Sequence, residues 1–265
     1  MTANLIEEII RNRKKSLEKD VNLIKESINL KRKTFRKPLS ENIKRNGEIS
    51  IISEIKPSSP TLGTIRNDID VREIAKIMED AGVIGLSVLT EPNYFNGSYN
   101  NLKIAIESTK LPCLMKDFVI DEIQFQIASN LGATNILLIN DICKLEKMFE
   151  LALEYNLEPL IEIHDIAEIN DIKHLIEIGF IPKLIGVNNR NLKTLKIDLN
   201  NSKIIIPKIK EYVENDAKVI SESGINTIEE INSLLSFKTD AFLIGSSIMK
   251  SNNIKEKIIS LRGVI

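Results

Sequence analysis

Tryptophan is absent from the 265 residues, and cysteine and histidine occur only twice each. Cys113 and Cys143 are too few for a disulfide framework or a four-ligand zinc site, so we expect each to be a small buried apolar residue. His164 and His174 likewise argue against a histidine-based metal cage. These shortages predict a protein without a bound metal, in a reducing, cytoplasmic compartment.

Long apolar runs and nucleotide-binding motifs are also missing. No run approaches the roughly 20 apolar residues that a membrane helix needs, and the amphipathic start of the chain, with its early acids, does not resemble a secretory signal. No G-x-G-x-x-G occurs, and "KPSSPTLG" at 56–63 is not a P-loop. Hydrophobic residues make up 43% of the chain, which supports a substantial core. We therefore expect a folded protein with no membrane partner and no cofactor.

Charge is distributed unevenly along the chain. Residues 1–45 hold 13 Lys/Arg against 6 Asp/Glu, whereas the remaining 220 residues hold 23 against 31. A basic segment of this kind is one signature of nucleic-acid binding. We favour the simpler interpretation, a solvated basic helix packed against an acidic body, and expect no nucleic-acid partner.

Short apolar runs alternate with helical patterns along the body of the chain. Most runs are continuously apolar, as parallel strands covered by helices should be. The predicted strands are 50–56, 83–89, 112–116, 134–139, 158–163, 183–188, 218–222 and 240–244. Eight such units predict an α/β fold of the (β/α)8 barrel (TIM barrel) type. The alternative is a doubly wound sheet, but that fold usually has fewer strands and a nucleotide fingerprint after the first one.

Apolar residues at helical spacing precede the first predicted strand. We interpret residues 1–265 as a single barrel domain, in which residues 1–45 form a helical extension laid over the barrel.

Polar residues interrupt the apolar strands near one end. In a (β/α)8 barrel the active site lies at the carboxyl ends of the strands. The candidates at these ends are Glu54, Lys56, Lys116, Glu162, Asn188 and Arg190. Solvation explains a lone charge at a strand end, but it does not explain Glu54 and Glu162 within apolar runs. Carboxylates and lysines placed together tune one another's pKa for proton transfer, so we predict a catalytic site.

The last two strands run into glycine-containing turns. Gly224 lies in "SESG" after the seventh strand, and Gly245 and Ser246 lie in "IGSS" after the eighth. Glycines let backbone N–H groups approach an anion closely, and phosphate sites in this fold commonly use these two loops. A small phosphorylated substrate is therefore expected. The loop at 57–70 is long and has no periodicity, which favours a mobile lid or a binding loop.

Several motifs, in order along the chain, resemble one enzyme family. They are "SEIKPSSPTLG", "SVLTEPNYFNGSY", "LMKDFVIDEIQ", "TNILLIND", "PLIEIHD", "IGVNNRNLKTLKIDL", "ISESGI" and "AFLIGSSIMK". They resemble indole-3-glycerol phosphate synthase of tryptophan biosynthesis. The resemblance implies that 1-(2-carboxyphenylamino)-1-deoxyribulose 5-phosphate closes its ring, loses CO2 and then water, and gives indole-3-glycerol phosphate. No cofactor is expected, because the cyclised iminium can itself accept the electrons released by decarboxylation.

The resemblance also implies roles for individual residues. Lys116 would be the general acid that protonates the ketone oxygen, and Glu162 the general base that assists dehydration. Glu54 would orient groups and stabilise charge nearby. Lys56 would bind the anionic groups of the substrate, and whether it also donates a proton stays open. The substrate-binding residues would be Asn188 and Arg190 for fixing the substrate, Ser223, Gly224, Leu243, Gly245 and Ser246 for the phosphate, and Phe95 and Phe118 for the aromatic ring.

Two positions depart from the family pattern. Asn191 follows Arg190 where many members have Asp, and Pro57 follows Lys56 where a basic residue is common. Neither change removes a proposed catalytic group.

Two other functions remain as alternatives. Phosphoribosylanthranilate isomerase uses a similar barrel but needs a Cys/Asp-type acid–base pair. A non-catalytic phosphate sensor or scaffold predicts the loss of Lys116 or Glu162, and both are present. We interpret His164 as a structural residue that faces away from Glu162, and we expect a monomer or a weak homo-oligomer.

Overall fold

Eight parallel strands form a closed barrel, in the order in which they follow one another along the chain. The strands are β1 (Ile51–Ile55), β2 (Gly85–Leu89), β3 (Cys113–Lys116), β4 (Asn135–Ile139), β5 (Glu158–Ile163), β6 (Leu184–Asn188), β7 (Lys218–Glu222) and β8 (Ala241–Ile244). Each lies within the range predicted from the sequence, so the predicted (β/α)8 barrel is confirmed. The structure is a computed structural model that describes residues 3–19, 36–44, 48–67, 69–213 and 217–263.

Helices cover the outside of the barrel and connect its strands. They are α1 (Ala3–Lys19), α2 (Leu39–Asn42), α3 (Val71–Asp80), α4 (Tyr99–Ser108), α5 (Glu122–Leu131), α6 (Leu145–Glu154), α7 (Ile169–Glu177), α8 (Asn200–Val213), α9 (Ile228–Leu235), α10 (Ser246–Met249) and α11 (Ile254–Arg262). Asp121 and Gln124 form a capping box that starts α5, and Thr227 and Glu230 form another at α9. Among the helices that the structure describes, none is long and apolar enough to cross a membrane.

Apolar side chains form two layers, one on each side of the strands. Leu114, Leu160 and Leu184 point into the barrel and fill its interior. Ile161 and Phe125 belong to the second layer, between the strands and the surrounding helices. Successive residues of a strand point to opposite faces, so a fully apolar strand supplies both layers. A polar residue on the inner face is therefore an exception that needs an explanation.

The N-terminal extension contacts both ends of the barrel. On α1, the fully buried Arg13 donates from Nε and Nη2 to the two carboxylate oxygens of Asp117, directly after β3, at 2.8 Å each. At the other end, Leu39 of α2 is fully buried, and its backbone N–H donates to Oδ1 of Asn135 over 3.1 Å. The predicted helical extension is thus confirmed for the described residues, and its part at 20–35 lies outside them.

Candidate active site

A lysine between two carboxylates forms the centre of the barrel mouth. Nζ of Lys116, at the end of β3, lies 2.7 Å from Oε2 of Glu222 on β7 and 3.0 Å from Oε2 of Glu162 on β5. Alternate strands of such a barrel contribute side chains to a common inner layer, which is why the three meet. A buried ion pair stabilises a fold little, because removing the charges from water costs about as much as their attraction returns. This cluster is therefore better explained by chemistry than by stability.

A second ion pair stands beside this centre on β1. Nζ of Lys56 lies 2.6 Å from Oε2 of Glu54, and both side chains are largely buried. Residues two apart on a strand share a face, so both point into the mouth. Gly245, after β8, leaves room for the carboxylate, because a Cβ there would stand 2.2 Å from Oε2 of Glu54. The predicted pair is therefore part of the same polar layer.

Burial and neighbouring charges move the pKa values of the cluster apart. Burial raises the pKa of Glu222 to about 8, with the Glu162 carboxylate acting in the same direction and Lys116 against it. Burial also opposes the charge on Glu162, but Lys116 and His164 outweigh it and hold the pKa of Glu162 well below its usual value. In Lys116, the carboxylates of Glu162, Glu222 and Glu54 overcome burial and raise the pKa. Near neutral pH, one proton is thus held by Glu222 while Glu162 is ionised.

Glu222 is a functional candidate that the sequence prediction missed. It stands in "SESG", where only Ser223 and Gly224 were assigned roles. The signal was present, because Glu222 is a charged residue inside an apolar strand, as Glu54 and Glu162 are. It is also 1% exposed, and its Oε2 accepts from Lys116.

The prediction that His164 faces away from Glu162 is wrong. Nε2 of His164 lies 3.1 Å from Oε1 of Glu162. The two residues are two positions apart, and such residues on an extended chain point to the same face. His164 therefore contacts the predicted base directly.

The two turns predicted to hold phosphate both line the cavity. Ser223 and Gly224 both have positive φ, 68° and 85°. After β8, Gly245 precedes the short helix α10, which begins at Ser246. Both turns therefore leave backbone N–H groups near the cavity, where an anion could reach them.

The walls of the mouth are apolar on one side. The rings of Phe95 and Phe118 are 6.2 Å apart between centroids and inclined by 44°. Leu5 and Ile9 of α1 line the same cavity, a contribution from the extension that the sequence prediction did not include. Together these residues form an apolar wall of the cavity, against which a planar ring could pack.

Arg190 and its neighbours shape the loop after β6. Oδ1 of Asn188 accepts from the backbone N–H of Arg190 at 2.9 Å, and the Arg190 guanidinium donates to the carbonyl of Leu195 at 3.1 Å. Burial lowers the pKa of Arg190, and Glu54 opposes this effect. Asn191 accepts through Oδ1 from the backbone N–H groups of the next turn, at 2.9 and 2.8 Å. The amide oxygen of Asn191 thus accepts the hydrogen bonds that an aspartate carboxylate could accept at this position.

The loop after β1 folds into a short hairpin, Ser58–Ser59 against Gly63–Thr64. The carbonyl of Pro57 accepts from two backbone N–H groups on the returning side of the loop, at 2.8 and 3.2 Å. Residues 59–62 line the cavity, in agreement with a binding loop. Movement of this loop as a lid stays a prediction, and residue 68 lies outside the described ranges.

All thirteen predicted site residues line one cavity of about 320 Å³ at the barrel mouth. The structure therefore brings them together, although their individual roles stay predictions. Cys113 and Cys143 do not line it, and burial raises the pKa of each thiol to about 12. A Cys-based acid–base pair, as the isomerase alternative requires, is thus disfavoured. Within the described ranges, no group of three or more His, Cys, Asp or Glu residues is arranged to hold a metal.

The fold and the cavity define an enzyme of the (β/α)8-barrel class, with acid–base groups at the mouth and turns suited to an anion. Residues 6–261 match the family profile described as indole-3-glycerol phosphate synthase. The chain belongs to the indole-3-glycerol phosphate synthase family. Its function is accordingly the synthesis of indole-3-glycerol phosphate in tryptophan biosynthesis, and it is a carboxy-lyase.

Individual relatives agree with this assignment along most or all of their length. The indole-3-glycerol phosphate synthase of Methanocaldococcus jannaschii is 45% identical, over 96% of this chain and 97% of the relative. The one from Aquifex aeolicus is 42% identical over 80% and 81%, and the one from Acetivibrio thermocellus 36% identical over 98% and 100%. Among solved structures, thiamine phosphate pyrophosphorylase from Pyrococcus furiosus superposes with a TM-score of 0.59 at 15% identity, over 85% of this chain and 96% of that one. That likeness concerns the fold alone.

Proposed function

We propose that Lys116 is the general acid and Glu162 the general base of the reaction on 1-(2-carboxyphenylamino)-1-deoxyribulose 5-phosphate. The observation that carries the proposal is the contact of Lys116 with Glu162 and Glu222 inside the mouth. Ring closure turns a ketone oxygen into a hydroxyl, which needs a proton at that oxygen, and Lys116 supplies it. Dehydration then needs a base, and Glu162 is the carboxylate held ionised at neutral pH.

Glu222 completes this proton pathway. Once Lys116 has given its proton to the ketone oxygen, its neutral amine is a stronger base than the Glu222 carboxylate, so a protonated Glu222 can restore the ammonium group. Glu222 has a pKa of about 8 and its Oε2 lies 2.7 Å from Nζ of Lys116. It is therefore the proton reservoir that we assign to Lys116, because an acid is most effective when its pKa lies near the working pH.

The remaining residues position the substrate. The phosphate is held by the turns at Ser223–Gly224 and Gly245–Ser246, beside Leu243, at one side of the cavity. The aromatic ring packs against the apolar wall that contains Phe95 and Phe118. Lys56, Asn188 and Arg190 bind the anionic and hydroxyl groups between these two ends, with Glu54 orienting Lys56.

Decarboxylation proceeds without a cofactor in this proposal. After ring closure, the iminium takes up the electron pair of the breaking C–C bond, which releases CO2 and restores the benzene ring, and loss of water then completes the indole. The protein therefore has to supply orientation and proton transfer, which are the tasks that its cavity residues can perform.

We propose that the enzyme works as a single barrel domain. It is monomeric or weakly self-associating, and it is cytoplasmic. The interlocking of the extension with both barrel ends supports one domain. Sedimentation velocity at micromolar concentration tests the assembly state, and a stable dimer there would contradict it.

The reaction itself is tested by adding the substrate to the purified chain and following indole fluorescence. We expect turnover without added metal or cofactor. No signal at micromolar enzyme would refute the activity. Full turnover by Glu162→Gln would refute only the assignment of the base.

A further inference from the structure

His164 contacts a residue of the cavity without lining the cavity itself. It is 8% exposed, and Nε2 lies 3.1 Å from Oε1 of Glu162. Since the ring is not part of the cavity wall, we expect no direct contact between the ring and the substrate. Any influence of His164 on the reaction must therefore pass through Glu162.

The two oxygens of Glu162 have different cationic partners. Lys116 donates to Oε2 at 3.0 Å, whereas the imidazole stands against Oε1. The ring N–H points off the line to Oε1, so the contact acts through charge rather than as a linear hydrogen bond. A carboxylate held at both oxygens cannot rotate freely, and its orientation is fixed.

The backbone of His164 is held independently of Glu162. Its N–H donates to Oε1 of Glu168 at 2.9 Å, and its carbonyl accepts from Nδ2 of Asn201 at 3.0 Å. Asn201 also donates to the carbonyl of Asn188 on β6 at 2.9 Å. The backbone of His164 is therefore fixed by contacts that do not involve Glu162, which limits the positions open to the ring beside the carboxylate.

We propose that His164 is a positioning residue whose charged imidazole fixes the carboxylate of Glu162 for proton transfer. The inference rests on the proposed role of Glu162 as the base. When the ring loses its charge, Glu162 keeps Lys116 but loses its second partner, and turnover falls.

The charged groups around the His164 ring determine the pH at which the imidazole loses its charge. Glu162 on β5, Glu222 on β7 and Glu168 in the turn after β5 face the ring, and Lys116 on β3 lies beyond Glu162. Burial opposes the charge of His164, but the carboxylates of Glu162 and Glu168 outweigh it and raise the pKa of the imidazole, and Glu222 adds to this effect once it loses its proton. The ring therefore keeps its charge above the ordinary imidazole pKa of about 6.5.

The first test is an NMR titration of the full chain, whose two histidines give two sets of imidazole signals. His174→Gln assigns them. In the wild type we expect the titration midpoint of His164 to lie above about 6.5. In Glu162→Gln, which keeps the shape but removes the charge, that midpoint should fall by at least ~1 pH unit while the His174 signal is unaffected. An unchanged His164 midpoint overturns the proposal, whatever the activity.

The second test is the pH profile of turnover. The wild type and His174→Gln should lose activity at the pH where His164 titrates by NMR. His164→Gln retains an N–H donor but no charge, so its pH profile should lack this step. At pH values below the wild-type step, its kcat should be about tenfold lower than that of the wild type, and its KM should change by less than about twofold. If His164→Gln does not fold, His164→Asn takes its place.

Two outcomes of the kinetic test have different meanings. A step that persists in the His164 variant assigns the ionisation to another group, such as Glu222, and overturns the proposal. Full turnover by Glu162→Gln would instead remove the base role of Glu162, while the NMR titration would still decide whether the ion pair exists.

Discussion

Gly186 on β6 leaves the space that the side chain of Glu222 on β7 occupies. A Cβ at residue 186 would stand 2.0 Å from Oε1 of Glu222, far inside van der Waals contact. The inner layer of a barrel is crowded, so a long buried carboxylate needs a neighbour without a side chain. Gly245 makes the same allowance for Glu54.

Gly186→Ala should therefore displace Glu222 while the barrel remains folded, because the atom in the way is the end of a flexible side chain. We expect kcat to fall by about 10²-fold, the typical cost of moving a reacting group by about 1 Å. Gly85→Ala is the matched control. Its Cβ would meet Leu39 at the opposite end of the barrel, at 2.2 Å, so it should lower the melting temperature and leave kcat of the folded enzyme unchanged. Equal kcat losses in both variants would contradict a specific link to Glu222.

Lys116→Met should reduce kcat by the 10²–10⁴-fold that is typical of acid–base residues. Binding of indole-3-glycerol phosphate, measured by fluorescence titration, should persist because the phosphate turns are elsewhere in the cavity. Lys147→Met, on the exposed side of α6, should leave both quantities as in the wild type. Near-full turnover without Lys116 would show that the acid is another group.

Glu222→Gln should change how stability depends on pH. The folded pKa of Glu222 is raised to about 8, so the folded protein binds a proton that the unfolded chain releases near pH ~4.3. The stability from this proton is fully present below pH ~4.3 and is lost as pH rises to about 8. Between pH 5 and pH 9, the denaturant midpoint should therefore fall further in the wild type than in Glu222→Gln, because glutamine does not titrate. Parallel midpoints would show that Glu222 ionises normally.

Arg13→Met should destabilise the fold by about 3–5 kcal/mol, because it leaves the buried carboxylate of Asp117 without its cation. Both side chains of this pair are 0% exposed, and burial opposes the charge of Asp117. Lys37→Met breaks an exposed pair with Glu41, 75% and 53% exposed, and should cost less than about 1 kcal/mol. Urea unfolding of both variants measures the difference, and similar small losses would mean that α1 adapts without the ion pair.

The strands and most of the site could be predicted because their signals are local. A continuous apolar run identifies a strand covered on both faces, and a charge within such a run, as at Glu54 or Glu162, identifies an inner polar position. Contacts between residues far apart in the sequence could not be predicted in this way. Lys116 meets Glu222 across 106 positions of sequence, and no local pattern specifies that contact.

The wrong prediction and the missing one have different origins. His164 was placed on the wrong face although spacing of two keeps it beside Glu162. The wall formed by Leu5 and Ile9 was missed because amphipathic spacing shows that α1 has an apolar face, not which surface that face covers.

The extension also has a consequence for how the barrel can be shortened. At the end opposite the cavity, Ser40 donates from its backbone N–H and hydroxyl to Glu158, and Nδ2 of Asn42 donates to the carbonyl of Ile84. Together with the buried Leu39, these contacts cover the end of the barrel opposite the cavity, while Arg13 joins α1 to the cavity end through Asp117. The shortest fragment that keeps both ends of the barrel covered therefore includes the extension. A fragment that begins at β1 would lose the contacts of α1 at the cavity end and those of α2 at the opposite end.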